Sequence, residues 1–247
     1  MPPSDLLIEI AFCPQMQRCL ADPRPHPCRA VVAAQGSASL AEHRLPQPWS
    51  GLLHSAPILF VSPNPSLRLP VAYPTGNWQP GAIAHYFNHR FDGDWIAEGN
   101  KARLTDGTYS RSIRFWVEIR QRAGELLQRQ AVPGVDYALT HVVHCEAVGG
   151  IGVTDAQDYC AQQYLNRTIA ASGAWVVVVL GRQARRVVQQ HYGFNGETVA
   201  GPVEVGAVER WFAFLPHTNA RGYRSFERCV MAEELAVLRR VVGDRRR

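Results

Sequence analysis

The chain has 247 residues, of which 46% are hydrophobic and 19% charged, a balance that excludes overall disorder and leaves room for one large core. No apolar run approaches the roughly 20 residues that span a bilayer. The opening stretch carries Asp5 and Glu9 where a secretory leader has positive charge, so a cytoplasmic protein without membrane attachment is expected. The net charge is +5, with Lys101 the only lysine among 26 basic residues; this suits a polyanionic partner without specifying one.

Residues 1–50 are proline-rich and hold Cys13, Cys19 and Cys28 between short apolar stretches such as Ala30 to Ala34. This segment is expected to need the rest of the chain in order to become ordered. The run Ile58 to Val61, closed by Pro63, reads as a buried strand that delivers a loop at its C-terminal end. From Leu67 to Asp106 the chain is rich in Pro, Gly, Asn and aromatic residues, the composition of a long, ordered loop insertion. Within Ser110 to Gln130, Ile113, Trp116, Val117, Arg120, Ala123, Leu126 and Leu127 recur at helical spacing. Tyr137 to Val143 predicts a second buried strand, and Thr154 to Ala171 a helix with Thr154 and Asp155 as N-cap candidates. Trp175 to Leu180 predicts a third strand, from which Gly181 feeds a helix over Arg182 to Gln190. After a hairpin-like stretch at Asn195 to Val208, Trp211 to Leu215 reads as the last strand, followed by a helix over Ser225 to Val242 and a solvated tail at Asp244 to Arg247. Alternating strands and helices mean an α/β protein.

Two polar loops follow buried strands directly, Ser62 to Ser66 and Pro216 to Gly222. Ligands bind at the C-terminal ends of parallel strands, because loops from neighbouring strands converge there. Asn64 and His217 are therefore expected to meet, although taken singly each also suits a turn or a cap. Six cysteines in a chain read as cytoplasmic point to a metal or cluster rather than disulfides. Cys145 leaves a predicted strand, and Cys160, separated from it by fourteen residues, lies inside the following helix. Cysteine-only ligation suits iron–sulfur or zinc alike, whereas Cys229 on the final helix reads as a buried apolar thiol.

The block Thr140 to Leu165, THVVHCEAVGGIGVTDAQDYCAQQYL, resembles the strand, cysteine, Thr-capped helix, cysteine and Tyr-Leu pattern of the iron–sulfur uracil-DNA glycosylases, usually numbered families four and five. VVVVLGRQA, Val176 to Ala184, is similar to the strand and glycine turn that follow in that superfamily. FVSPNPS occupies the place of its first catalytic motif and LPHTNARG that of its second. The matched blocks run in the same order and cover roughly half the chain.

The resemblance implies a single domain over residues 1–247, a three-layer α/β/α sandwich around a short, mainly parallel sheet. It implies a [4Fe–4S] cluster, with zinc as the less favoured alternative, for which Cys145 and Cys160 are the third and fourth ligands. Cys13 and Cys28 are the first two, with Cys19 as the alternative to Cys28, because five residues separate Cys13 from Cys19 where the family has two. It further implies a monomer that acts on DNA containing a deaminated base. Asn64 would position the attacking water and His217 would hydrogen-bond the departing base. Tyr73 would stack on that base, and Ser66, Thr218, Asn219, Arg221 and Tyr223 would contact the DNA. His141 stands where relatives carry an asparagine that reads uracil's edge; a neutral histidine offers one donor and one acceptor for that task or for selecting another deaminated base. Three readings stay open: a glycosylase, a nucleic-acid-binding member of the same fold that excises nothing, or a zinc or redox protein on an unrelated α/β scaffold.

Overall fold

In the computed structural model, residues 3–66 and 69–244 are described; Leu67, where the expected insertion begins, and Arg245 to Arg247 of the expected tail lie outside them. Three helices, α1 (Pro3–Ala11), α2 (Pro14–Ala21) and α3 (Arg29–Ala33), precede strand β1 (Ile58–Ser62). Helix α4 (Pro80–Asn88), the short strands β2 (Ile96–Ala97) and β3 (Lys101–Ala102), and helix α5 (Arg114–Leu127) lead to β4 (Tyr137–His141). Then come α6 (Val153–Ala171), β5 (Val176–Leu180), α7 (Gly181–Tyr192), β6 (Val199–Val205), β7 (Val208–Leu215), α8 (Phe226–Cys229) and α9 (Ala232–Asp244).

The central sheet has the order β4-β1-β5-β7-β6. The first four strands are parallel, and β6 closes the far edge antiparallel to β7. Every residue of β1, β4 and β5 is buried, as expected of strands covered on both faces. The two-residue pleat period divides their side chains between two cores. Leu59, Val61, Val177 and Val179 meet α1, α6 and α7, while Ile58, Phe60, Val176 and Val178 meet α5 and α9. The result is a three-layer α/β/α sandwich around a mainly parallel sheet. Among the described residues, no helix is long and apolar enough to cross a membrane.

Both ends of the sheet are modified. Ser50 exchanges a pair of backbone hydrogen bonds with Leu139 along the outer side of β4 (2.8 and 3.0 Å). On β6, exposed Gly201, Pro202 and Glu204 occupy the outer strand, and the pairing with β7 shifts register between Ala200 and Val203.

Several elements depart from expectation. Residues 1–50 carry more core of their own than their short apolar stretches suggest. Leu6, Leu7 and Ile10 share one face of α1 and are buried, as are Met16 on α2 and Val31 and Val32 on α3. Pro14 does not break α2 but starts it, where its missing N–H is not needed. Pro80 does the same for α4, so the expected loop insertion contains a helix that buries Ile83, Tyr86 and Phe87. The cap of α6 is Gly152 rather than Thr154 or Asp155. Its φ is +71°, and a Cβ there would collide with the backbone nitrogen of Val31, so only glycine lets α3 dock against α6. The single helix expected over Ser225 to Val242 is divided, because Val230 turns extended and its side chain joins the core shared with α5 and α9.

Candidate active site

The site is built where β1, β4 and β7 end. Beyond the strands, Val142 N–H donates to Ser62 O (2.9 Å), Val143 N–H to Pro63 O (2.9 Å) and Ala147 N–H to Pro65 O (3.1 Å). The β1 loop is thus zipped to the chain leaving β4 and cannot swing. Asn64 sits in it, with Nδ2 donating to Pro65 O (2.8 Å) and Ala147 O (3.4 Å). A flipped amide would press oxygen against two carbonyls, so the orientation is fixed and Oδ1 remains an acceptor with no partner among the described residues.

The β7 loop is held from α5, where buried Arg122 donates through Nη1 to Pro216 O (3.0 Å). His217 Nδ1 faces the backbone N–H of Asn219 at 3.2 Å. That nitrogen accepts, so the neutral ring carries its proton on Nε2, as a donor. Burial, and then the Arg122 charge, lower its pKa and favour this neutral form. The ring stacks on Phe115, with centroids 5.9 Å apart and planes at 28°. At the end of β5, Gly181 has φ +86°, and a Cβ there would lie 3.0 Å from His217 Cβ. Glycine both makes that turn and leaves the histidine its space.

These loops enclose a cavity of about 130 Å³ into which Asn64, Ser66, His141, His217 and Asn219 all face. Gln47, Arg90, Phe115 and Trp116 complete its walls, and none of them was assigned a site role from the sequence. Phe115 and Trp116 hide in the helical periodicity of α5. Arg90 lies in the aromatic stretch read from composition as an ordered insertion, but nothing local singles it out. Gln47 has no sequence signal at all.

His141 is buried, and its two ring nitrogens lie 2.7 Å from Ser62 Oγ and 3.0 Å from Gln47 Nε2. Burial is the largest cause of a pKa far below the usual histidine range, with His144, Arg90 and His217 adding to it. Both nitrogens are engaged by the protein, so His141 presents no free edge atom to a base, contrary to its expected reading role.

Tyr73 does not take the stacking position expected of it. It lies outside the cavity wall, packed edge-on against Tyr86 and Phe87. The ring that faces the cavity beside His217 is Phe115. Thr218 is fully buried, with no hydrogen-bond partner for Oγ1, so its side chain does not face outward toward a nucleic acid. Arg221 and Tyr223 are exposed and do not line the cavity; the Arg228 guanidinium lies over the Tyr223 ring at 4.8 Å.

A second constellation lies behind β4. Cys13 and Cys28, the residues that open α2 and α3, share one enclosed pocket with Cys145 and Cys160. Cys19 is buried but does not line it. Tyr164 Oη donates to Cys13 Sγ at 3.4 Å. Burial pushes the Cys28 thiol up to about 12 and raises those of Cys145 and Cys160 as well. Among the described residues, no three His, Cys, Asp or Glu side chains are grouped around a single metal ion; the four thiols stand around a shared volume instead.

No family model and no curated protein matches this chain.

Proposed function

We propose that this protein is a DNA glycosylase that hydrolyses the N-glycosidic bond of uracil or another deaminated base. The observation that carries the reading is that a free amide acceptor, Asn64 Oδ1, and an imidazole donor, His217 Nε2–H, face one base-sized cavity from opposite loops. A base reaches such a pocket only when flipped out of the stack, and Phe115 gives it a face to lie against. As the bond breaks, its electron pair passes to the base, and His217 stabilises the growing negative charge on a base carbonyl. Asn64 accepts a hydrogen bond from water and aims the water oxygen at the sugar carbon; the water's proton leaves to solvent. An amide is a weak base, so positioning is its whole contribution.

Four thiols around one apolar volume support a [4Fe–4S] cluster better than zinc, since ligands on the corners of a cluster stand further apart than ligands around one ion. Cys13, Cys28, Cys145 and Cys160 would hold it, and its contribution would be to clip α2 and α3 to the body. Cys28 is favoured over Cys19 because only Cys28 lines that pocket.

Labelled oligonucleotides carrying uracil, hypoxanthine or xanthine, single- and double-stranded, test the reading by abasic-site formation. Wild-type protein is expected to release at least one base, and Asn64→Ala to do so at least tenfold more slowly. Binding without any abasic sites would replace the glycosylase with a nucleic-acid-binding protein of the same fold. Iron and acid-labile sulfide in equal amounts are expected in the same preparation, and zinc in their place would overturn the cluster.

A further inference from the structure

The roles given to Asn64 and His217 leave Arg90 unused, although it is the most unusual group in the cavity. It follows α4, is 4% exposed and lines the cavity wall. Nη1 donates to Gln47 Oε1 (2.7 Å) and Ser50 Oγ (3.2 Å), while the buried Nε has no partner. Among the described residues no carboxylate forms an ion pair with it. In place of a counter-ion, the rings of Tyr86, Tyr73 and Trp116 stand 5.4, 5.6 and 5.9 Å from its guanidinium carbon. Aromatic faces offset only part of the cost of burying a cation. What is missing is an oxygen acceptor, and the cavity is where one can enter.

The same arginine fixes what its neighbours offer. Holding Gln47 Oε1 turns the other end of that amide, Nε2, toward Ser50 Oγ (3.1 Å) and His141 Nε2 (3.0 Å). His141 Nε2 must then accept, and its Nδ1–H donates to Ser62 Oγ (2.7 Å). The Gln47 amide protons and both His141 nitrogens are consumed inside the protein. Besides His217 Nε2–H, the guanidinium of Arg90, which also hydrogen-bonds the Tyr86 hydroxyl, is the donor on the cavity wall left to meet a base.

We propose that Arg90 is the specificity-determining residue of this site, its guanidinium binding the oxo edge of the base. It selects bases with an oxo group at that edge, uracil (O4) and xanthine (O6), against cytosine, which has an amine there and keeps only its O2 carbonyl. An exocyclic amine at that edge sets donor against donor and leaves the cation without an acceptor. Once the glycosidic bond has broken, the same guanidinium is the counter-ion of the departing base, whose negative charge spreads onto its carbonyl oxygens. This inference rests on the glycosylase reading.

Calorimetric titration of wild-type protein, Arg90→Met and Arg90→Lys with free uracil, xanthine and cytosine tests it. Wild-type protein is expected to bind uracil and xanthine at least 20-fold more tightly than cytosine. Arg90→Met is expected to lose that preference; removing a buried charge without a counter-ion offsets the loss of the donors to Gln47 Oε1 and Ser50 Oγ, and a melting curve checks that the variant is folded. Arg90→Lys keeps the charge without the planar fork and is expected to retain part of the preference. Equal binding of uracil and cytosine by wild-type protein overturns the inference, as does an unchanged preference in Arg90→Met. The abasic-site assay separates the two levels. No abasic sites together with Arg90-dependent uracil binding sinks the glycosylase reading alone. Abasic sites together with an unaltered base preference in Arg90→Met sinks this inference alone.

Discussion

Replacing His217 with alanine is expected to slow base release by about 10²- to 10³-fold, the usual effect of removing one donor aimed at a developing anion. Of the ring's two nitrogens, Nδ1 is occupied by the Asn219 N–H, so the whole effect resides in Nε2–H. His217→Gln places an amide donor at similar reach and is expected to recover part of the rate. The variants should melt close to wild type, because the histidine is only partly buried and its loop is held independently by Arg122 on Pro216 O. Single-turnover abasic-site formation at saturating protein measures the chemical step without binding. A His217→Ala rate within threefold of wild type would remove the residue from the mechanism.

Arg210→Met is expected to cost about 4 kcal/mol of folding stability, from buried acceptors left without donors at about 1 kcal/mol or more each. Arg210 is fully buried on β7 and works as a multiple donor. Nη1 reaches Ser172 Oγ (3.0 Å) and the Ala174 carbonyl, Nη2 reaches Ser172 O (2.8 Å) and Ala170 O (3.4 Å), and Nε reaches Val205 O (3.2 Å). One side chain therefore ties the end of α6, the approach to β5 and the β6–β7 turn. Burial lowers its pKa to about 10, which still leaves it charged at neutral pH. Methionine fills much of the volume but donates nothing, so four carbonyls lose their partner. For a chain of this size the melting midpoint should fall by roughly 10 °C. A shift under 3 °C would mean that water or local rearrangement replaces the guanidinium.

The parts of this molecule that could be read from sequence are those whose signal is local. β1 and β5 announce themselves as unbroken apolar runs, and β4 as a largely apolar one, since two buried faces need no alternation. Asn64 and His217 were found because each lies directly after such a run, and parallel strands carry their loops to one edge. Proline obscured the rest. At Pro14 and Pro80 it begins a helix, but in a sequence it looks like the end of one. Arg90 and Gln47 were invisible for another reason. Their meaning comes from partners far along the chain, Gln47 lying 43 residues from Arg90 and 94 from His141. Tyr73 illustrates the converse error: it sits in an aromatic stretch of the right character, but the ring that reaches the cavity, Phe115, belongs to a helix whose periodicity looks purely structural.

The two modified margins of the sheet govern how this chain meets its own copies. An open strand edge is a template on which a second molecule can lay a strand, the usual first step toward runaway association. At β4 the backbone of Ser50 already occupies part of that template. At β6 an incoming strand would meet Pro202, which has no N–H to offer, a shifted register and the charge of Glu204. Neither margin welcomes an added strand, so the sheet can keep a central strand as rich in valine as β5 without offering an open edge beside it.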